Sequence, residues 1–448
     1  MLSAEDAAAR LQDLVAAARR AGADAADAIY HANRSTDVHV RLGRLENIDR
    51  SDGEEIGLRV FVGRRSASVS ASDLAPARLD ALAERAVAMA REAPEDLHAG
   101  LAPEDALMRD AAPDLDLHDG VDPEPAELRA RALAAEEAAR GVAGVSNSEG
   151  ASASAGSSLV AIATSHGFAG GYRASAHSVS ASMLAGEGGA KQRDGAWHWT
   201  RHLADLDPAE QIGRLAGERA VARLGAARLP SGAMPVVFDP RVGNSLIGHV
   251  LGAISGPAIA RRTSFLLEME GEHVLPRGLS VVDAPHRRRG LRSRPFDGEG
   301  LPTAERRIID DGRLTGWLLD SASARQLGRA PTGHAVRGVG GPPGVGASNV
   351  DLLGGTLSRD ELLAGITHGF YVTELIGQGV NGVTGDYSRG AGGFLIENGV
   401  LTRPVAEVTI AGNLRDMLAN LTAADDLEHR YALNVPTLLV EGMTLAGG

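Results

Sequence analysis

Several stretches of the sequence place reactive side chains at spacings that chemistry uses. Asp386-Tyr387-Ser388-Arg389 gathers an acid, a phenol, a hydroxyl and a guanidinium inside one Gly-rich segment. Ahead of a rigid hairpin, such a cluster is either a binding surface presented by a sheet or a polar β-loop capping a barrel. It falls short of a nucleophile elbow, because Asp386 stands where GxSxG has its first glycine and no helix follows. Gly377-x-Gly379-x-x-Gly382 has the spacing of a dinucleotide fingerprint and follows a strand-like run. A pyrophosphate needs a helix N-terminus after those glycines, whereas Val383-Thr384-Gly385 leads back into β character. Gly188-Gly189-Ala190-Lys191 fails as a phosphate loop, since Ala190 precedes the chain's lysine. His198 and His202 have the i, i+4 spacing that chelates zinc from a helix face. Their neighbours Trp197, Trp199 and Thr200 favour a strand. On a strand over Trp197–His202 the imidazoles lie about 13 Å apart, at about 3.3 Å per residue, too far to share one ion.

The elements that must position these residues follow from periodicity and turn chemistry. Ser3-x-x-Asp6 resembles a capping box, and Leu11, Leu14 and Val15 follow at helical spacing, predicting a helix over 4–21. Strands are expected at Asp24–Tyr30, Asp37–Leu42 and Gly57–Val62, then a helix at Ala75–Arg91. Residues 96–123, rich in Pro, Asp and Glu, read as an exposed acidic connector, either irregular throughout or ordered in part. A helix opens at Asp122-Pro123 and runs to about Arg140. An antiparallel meander of small residues then covers Val145–Trp199, and Asp207-Pro208 starts a helix to about Leu224. After Pro235–Phe238, Asp239-Pro240 caps a helix reaching about Ser255. Asp311-Gly312 and Asn398-Gly399 mark hairpins over Arg307–Leu319 and Phe394–Val405, because both residues of such pairs tolerate the positive φ of a type I′ turn. The expected architecture is α+β. An N-terminal α/β region with an antiparallel sheet flanked by helices comprises units 1–95 and 124–229, and 230–448 forms a β-rich barrel or sandwich.

Composition narrows the function classes. The chain has 448 residues, enough for two or three domains with cores of their own. Hydrophobic residues make up 44%, and aromatics only 3% beside 56 glycines, so the cores must be aliphatic and Ala-rich. A net charge of -13 argues against nucleic acid or an anionic membrane face as the main partner. With no cysteine, disulfides, thiol nucleophiles and Cys-ligated metal are all excluded. The start, Met1-Leu2-Ser3-Ala4-Glu5-Asp6, lacks the features of a signal peptide, and no window approaches a spanning helix of roughly 18 apolar residues. A cytoplasmic protein is the expectation.

The C-terminal half carries a resemblance on Thr384-Gly385-Asp386-Tyr387-Ser388-Arg389-Gly390, Gly377-Gln378-Gly379-Val380, Glu397-Asn398-Gly399 and Thr409-Ile410-Ala411-Gly412-Asn413-Leu414. Upstream, Pro295-Phe296-Asp297-Gly298-Glu299-Gly300, Trp317-Leu318-Leu319 and Thr332-Gly333-His334 continue it. These stretches are similar to the TldD/PmbA family of zinc metalloproteases, and to its PmbA (TldE) branch. The resemblance is strong over 230–448 and one of general layout before that. It implies an α/β N-terminal region and a β-rich C-terminal domain. The TldD branch is marked by a helical HExxxH whose histidines bind zinc while the Glu activates water. Here no His is followed by Glu, and the matching helix, 240–255, offers Asn244, Ser245 and His249 in those places. An Asn amide is a poor zinc ligand and Ser245 cannot take a proton from bound water. His249 is then a relic, a groove residue or a satisfied core histidine.

The resemblance therefore implies a TldE-like chain without its own metal or cofactor, paired as a heterodimer with a TldD-like subunit that carries the zinc. Its role would be to hold an unfolded or extended peptide by strand addition, for degradation or for maturation of peptide natural products. His249, Gly379, Asp386, Tyr387, Ser388 and Arg389 would line the peptide groove, with Arg389 paired to Asp386 or to a substrate carboxylate. Two other readings compete: an independent hydrolase built from His249, His334, Asp386 and Ser388, and a non-enzymatic peptide-binding protein.

Overall fold

A computed structural model describes residues 1–73 and 75–447. Helix α1 (Ala4–Arg20) is capped by the Ser3 hydroxyl, which accepts from the Asp6 amide. Strands β1 (Ala25–Arg41), β2 (Arg44–Val62) and β3 (Arg65–Ala71) follow, then α2 (Pro76–Glu92) and α3 (Pro125–Arg140). Next come β4 (Val145–Thr164), β5 (Ala169–Ala185), β6 (Gln192–Thr200) and α4 (Ala209–Ala222). The six strands form one antiparallel sheet in the order β3-β2-β1-β4-β5-β6. Where two short strands were expected before Leu42, β1 runs unbroken for 17 residues, because His31–Thr36 pairs on both sides, with β2 and β4. The sheet thus spans both halves of the N-terminal region.

Alternation divides the work of the two faces. Ala26, Ala28, Tyr30 and Ala32 of β1 pack under α1 and α2, while Val38 and Val40 farther along the same face pack under α3 and α4. Alanines on β4 and β5 let the helices approach closely. The opposite face meets the C-terminal half: Ile29 and Ile162 pack with Phe168, Phe296 and Leu301. The interface also holds charge. Asp27 of β1 is buried between Arg59 of β2, 2.5 Å away, and Arg337, 2.7 Å away.

Residues 96–123 are exposed over much of their length, as their acids suggested, but the segment is pinned to the fold at several points. Leu101, Leu107, Leu115 and Leu117 are buried. Arg325 straps the segment down by donating to the carbonyls of His98, Gly100 and Leu101 at 2.8–2.9 Å. Most of the acids face outward while these four leucines face in; Asp119 is the exception, turned inward to His177 at 3.0 Å and to the Leu203 amide at 2.8 Å. Two helix starts also shift. α3 begins at Pro125, the second of two nearby prolines, and α4 begins after Pro208, with Asp207 turned to His198 and Arg430 instead of capping.

The C-terminal half is built on β7 (Gly232–Phe238), α5 (Pro240–Ala253), β8 (His368–Ile376), β9 (Asp386–Glu397), β10 (Val400–Asn413) and β11 (Leu438–Ala446). The order β10-β9-β8-β7-β11 closes on itself through pairing of β10 with β11, giving a five-stranded barrel in which β7 and β8 are parallel. Leu246, Ile247 and Val250 of α5 share its core with Val236, Phe238, Phe370 and Ile410. Asn398 and Gly399, with φ of 51° and 80°, make the tight turn of the β9–β10 hairpin, which is far longer than expected. Asp311 and Gly312, at 47° and 80°, make a second one, whose returning strand is only Arg313–Leu314.

Candidate functional site

Helix α5 leaves β7 at a fixed point, because Asp239 accepts from the Arg241 amide and Pro240 occupies the first turn. The helix is regular. Positions five apart on it therefore point about 140° apart, at about 100° per residue, so Asn244 and His249 do not face one another. Asn244 looks into a groove beneath the N-terminal sheet. Ser245 turns its hydroxyl back to donate to the Val242 carbonyl at 2.7 Å. His249 points toward the barrel and meets Tyr387 edge-on, with ring centroids 6.2 Å apart. These three side chains do not form a zinc ligand set. Among the described residues, no group of three or more His, Asp or Glu is gathered to hold a metal.

Tyr387 and Arg389 come from the start of β9, and alternation decides where each residue goes. Asp386 and Ser388 are exposed, whereas Tyr387 is 2% exposed and Arg389 is half-buried. The polar cluster is thus split between two faces. Asp386 does not pair with Arg389; its carboxylate accepts from the Thr384 hydroxyl at 2.6 Å and the Asn413 amide at 3.3 Å. Gly379 lies in a loop folded back on β9. Its carbonyl accepts from the Ser388 amide at 2.7 Å, and a Cβ there would sit 2.1 Å from the Ser388 carbonyl oxygen. No helix follows that loop, which ends in β9.

The inward side is electrostatically unusual. Burial pushes the His249 imidazolium down, and the nearby Arg389 charge pushes it further, so His249 is neutral at pH 7. Burial pushes the Tyr387 phenol up to about 12, and the adjacent Arg389 pulls the other way.

The other expected histidines lie elsewhere. Strand β6 ends at Thr200, so His202 is outside the strand that was expected to hold it, displaced by the bend that leads to α4. His198 Nδ1 accepts from the Asp207 amide at 3.1 Å, and His202 Nε2 meets the Asp116 carbonyl at 2.9 Å. His334 is buried between Asp283 and Thr332. With Asp386 and Ser388 on the outer face of β9 and His249 behind Tyr387, the four residues of the hydrolase reading are not brought together.

The groove reached by Asn244 was not foreseen. It has a volume of about 1160 Å³ and is walled by the serine face of β4–β5, by β6, and by the start of α5. Trp197, 50% exposed, packs at a tilt against Tyr431, with ring centroids 5.0 Å apart, beside it. Asp194 is gripped there by Arg241 at 3.1 Å and Arg223 at 3.6 Å. The one signal in the sequence was tryptophan in a chain so poor in aromatics.

Comparison with known proteins agrees across the whole length. Models of the PmbA/TldA metallopeptidase domain 1, central domain and C-terminal domain match residues 26–90, 119–224 and 231–447. The metalloprotease PmbA of Escherichia coli O157:H7 is 38% identical over 426 residues, covering 95% of this chain and 92% of that protein. The PmbA homolog of Haemophilus influenzae is 37% identical, covering 96% and 94%. Among solved structures, a Bacteroides thetaiotaomicron protein described as a candidate modulator of DNA gyrase superposes with a TM-score of 0.92 at 28% identity, covering 100% of both chains. TldE from Thermococcus kodakarensis superposes with a TM-score of 0.87 at 20% identity, over 98% of this chain and 100% of that one, a likeness of fold.

Proposed function

This chain belongs to the PmbA/TldD metallopeptidase family, and from that premise we propose that it is the peptide-holding, metal-free subunit of a two-chain peptidase. The observation that carries the reading is α5, where Asn244, Ser245 and His249 diverge and supply one imidazole in place of a ligand set. The zinc would sit on a TldD-like partner with HExxxH. Such pairing of related chains makes the interface pseudo-two-fold. The assembly would act in the cytoplasm on extended or unfolded peptides, to degrade or to mature them.

Two features suit a peptide. On its outer side β2 pairs with β3 only over Ile56–Val62, so Arg44–Glu55 has an open edge among the described residues, and Glu46 on it reaches the groove. Ile376 and Val383, 60% and 53% exposed, flank the loop above β9 and offer apolar contacts.

The test assays this chain alone, an HExxxH partner alone, and their mixture on an unfolded peptide. Cleavage is expected only in the mixture and is lost with a chelator; metal analysis of this chain alone finds no stoichiometric zinc. Full activity from the partner alone, unchanged on adding this chain, rejects the reading.

A further inference from the structure

Three side chains between α5 and β9 hold buried polar atoms with no hydrogen-bond partner among the described residues: Nε2 of His249, the hydroxyl of Tyr387 and Nε of Arg389. They belong to one cluster. The imidazole and phenol rings are in edge contact, and the Arg389 charge acts on both. A polar atom left unpaired in a protein interior costs about 1–3 kcal/mol, and buried groups are nearly always paired. Three together mark a place where a bonding partner belongs.

The chemistry of that partner is set by the atoms. The phenol and the guanidinium Nε both carry a hydrogen to donate, and neutral imidazole donates from Nε2 in one tautomer. Arg389 has no acid within ion-pair distance among the described residues, since Asp386 on the other face is committed to Thr384 and Asn413. A cation without a counter-ion beside two further donors fits a planar anion.

We infer that His249, Tyr387 and Arg389 form a carboxylate-binding site, which takes the free C-terminal carboxylate of a bound peptide. The inference rests on the peptide-holding reading above and sharpens it: the chain would anchor the peptide by its end, while the exposed apolar rim at Ile376, which pairs with Gly390 next to Arg389, takes its length. An acidic side chain of the peptide has the same chemistry, so the test separates the two sources.

The full chain is titrated calorimetrically with a short unstructured peptide free of Asp and Glu, in three forms: free C-terminus, C-terminal amide, and the amide with one internal Glu. Amidation is expected to weaken binding about tenfold or more, the worth of one charge-assisted contact. Arg389→Gln should bring the free peptide down to the level of the amide. Tyr387→Phe, which removes a single oxygen, should narrow the free-to-amide ratio in the same direction, and so covers the case in which Arg389→Gln fails to fold. Recovery of binding by the Glu-containing amide keeps the carboxylate site and moves its source to a side chain. Equal binding of free and amidated peptides by the unmodified chain overturns the inference while leaving the peptide-holding reading in place. Binding of no form overturns both.

Discussion

The phenol ring of Tyr387 stands at 77° to the imidazole of His249, with ring centroids 6.2 Å apart, and neither the hydroxyl nor Nε2 has a hydrogen-bond partner among the described residues. This is an expensive way to fill a core. Tyr387→Phe keeps the ring contact and removes the unpaired hydroxyl. It is expected to leave stability unchanged or raise it by up to about 1 kcal/mol, while weakening peptide binding. Urea unfolding, read beside peptide titration, checks both. A clear loss of stability would make the hydroxyl part of the scaffold.

The buried pair of arginines on Asp27 predicts the opposite. Burial acts to raise the Asp27 carboxyl, but Arg337 and Arg59 together outweigh it and hold the group below its usual range. Asp27→Asn leaves two arginines facing each other inside the interface between the sheet and the C-terminal half. The expected cost is about 3–5 kcal/mol, measured by chemical denaturation. An effect below 1 kcal/mol would show that the arginines find other partners.

Part of this was legible in the sequence, and the parts that were not share a cause. The turns at Asn398-Gly399 and Asp311-Gly312 are local, since two adjacent residues set their own φ, and they were read correctly. The continuity of β1 was not readable. Its polar middle, Asn33-Arg34-Ser35, looks like a loop until Ser51–Gly53 and Gly156–Ser158 pair with it from both sides. The connector's acids masked Leu107, whose partners Ile29, Phe168, Phe296 and Leu301 lie far along the chain. The Asp386–Arg389 cluster was found, but not its division between faces, because the glycines around it hid the strand that imposes alternation. The edge contact of His249 with Tyr387 joins residues far apart in sequence, and no local pattern records it.

Glycine offers a sharper contrast, because propensity and packing compete. In α4, a Cβ on Gly213 would lie 1.9 Å from the carbonyl oxygen of Ala135 on α3, a backbone atom that cannot step aside. In α5, a Cβ on Gly248 would meet nothing within 4 Å. Replacing either by Ala gains about 0.5–1 kcal/mol of helix propensity. At Gly213 the overpacking penalty of about 1–3 kcal/mol wins. Gly213→Ala should therefore destabilise and Gly248→Ala stabilise, and their melting temperatures should move in opposite directions.

Glu299 makes stability depend on pH: it faces Arg59 at 3.9 Å and accepts from the Ser321 amide at 2.8 Å. Burial pushes its carboxyl up, the neighbouring Asp297 pushes it further, and it titrates at about 7 against an ordinary 4.5. Because the folded value is raised, the folded chain keeps a proton that the unfolded chain releases between pH 4.5 and 7. The stability this group contributes is therefore present below about pH 4.5 and lost as pH rises through 7. Asp297, also raised by burial, adds to the same slope. Glu299→Gln cannot ionise and still presents an oxygen to Ser321. Compared with the unmodified chain, it should have similar stability at pH 5 and gain steadily above it, reaching a margin on the order of 2–3 kcal/mol at pH 8. Urea midpoints across that range provide the measurement. A constant difference between the two proteins at every pH would mean that Glu299 ionises as freely in the fold as in the unfolded chain.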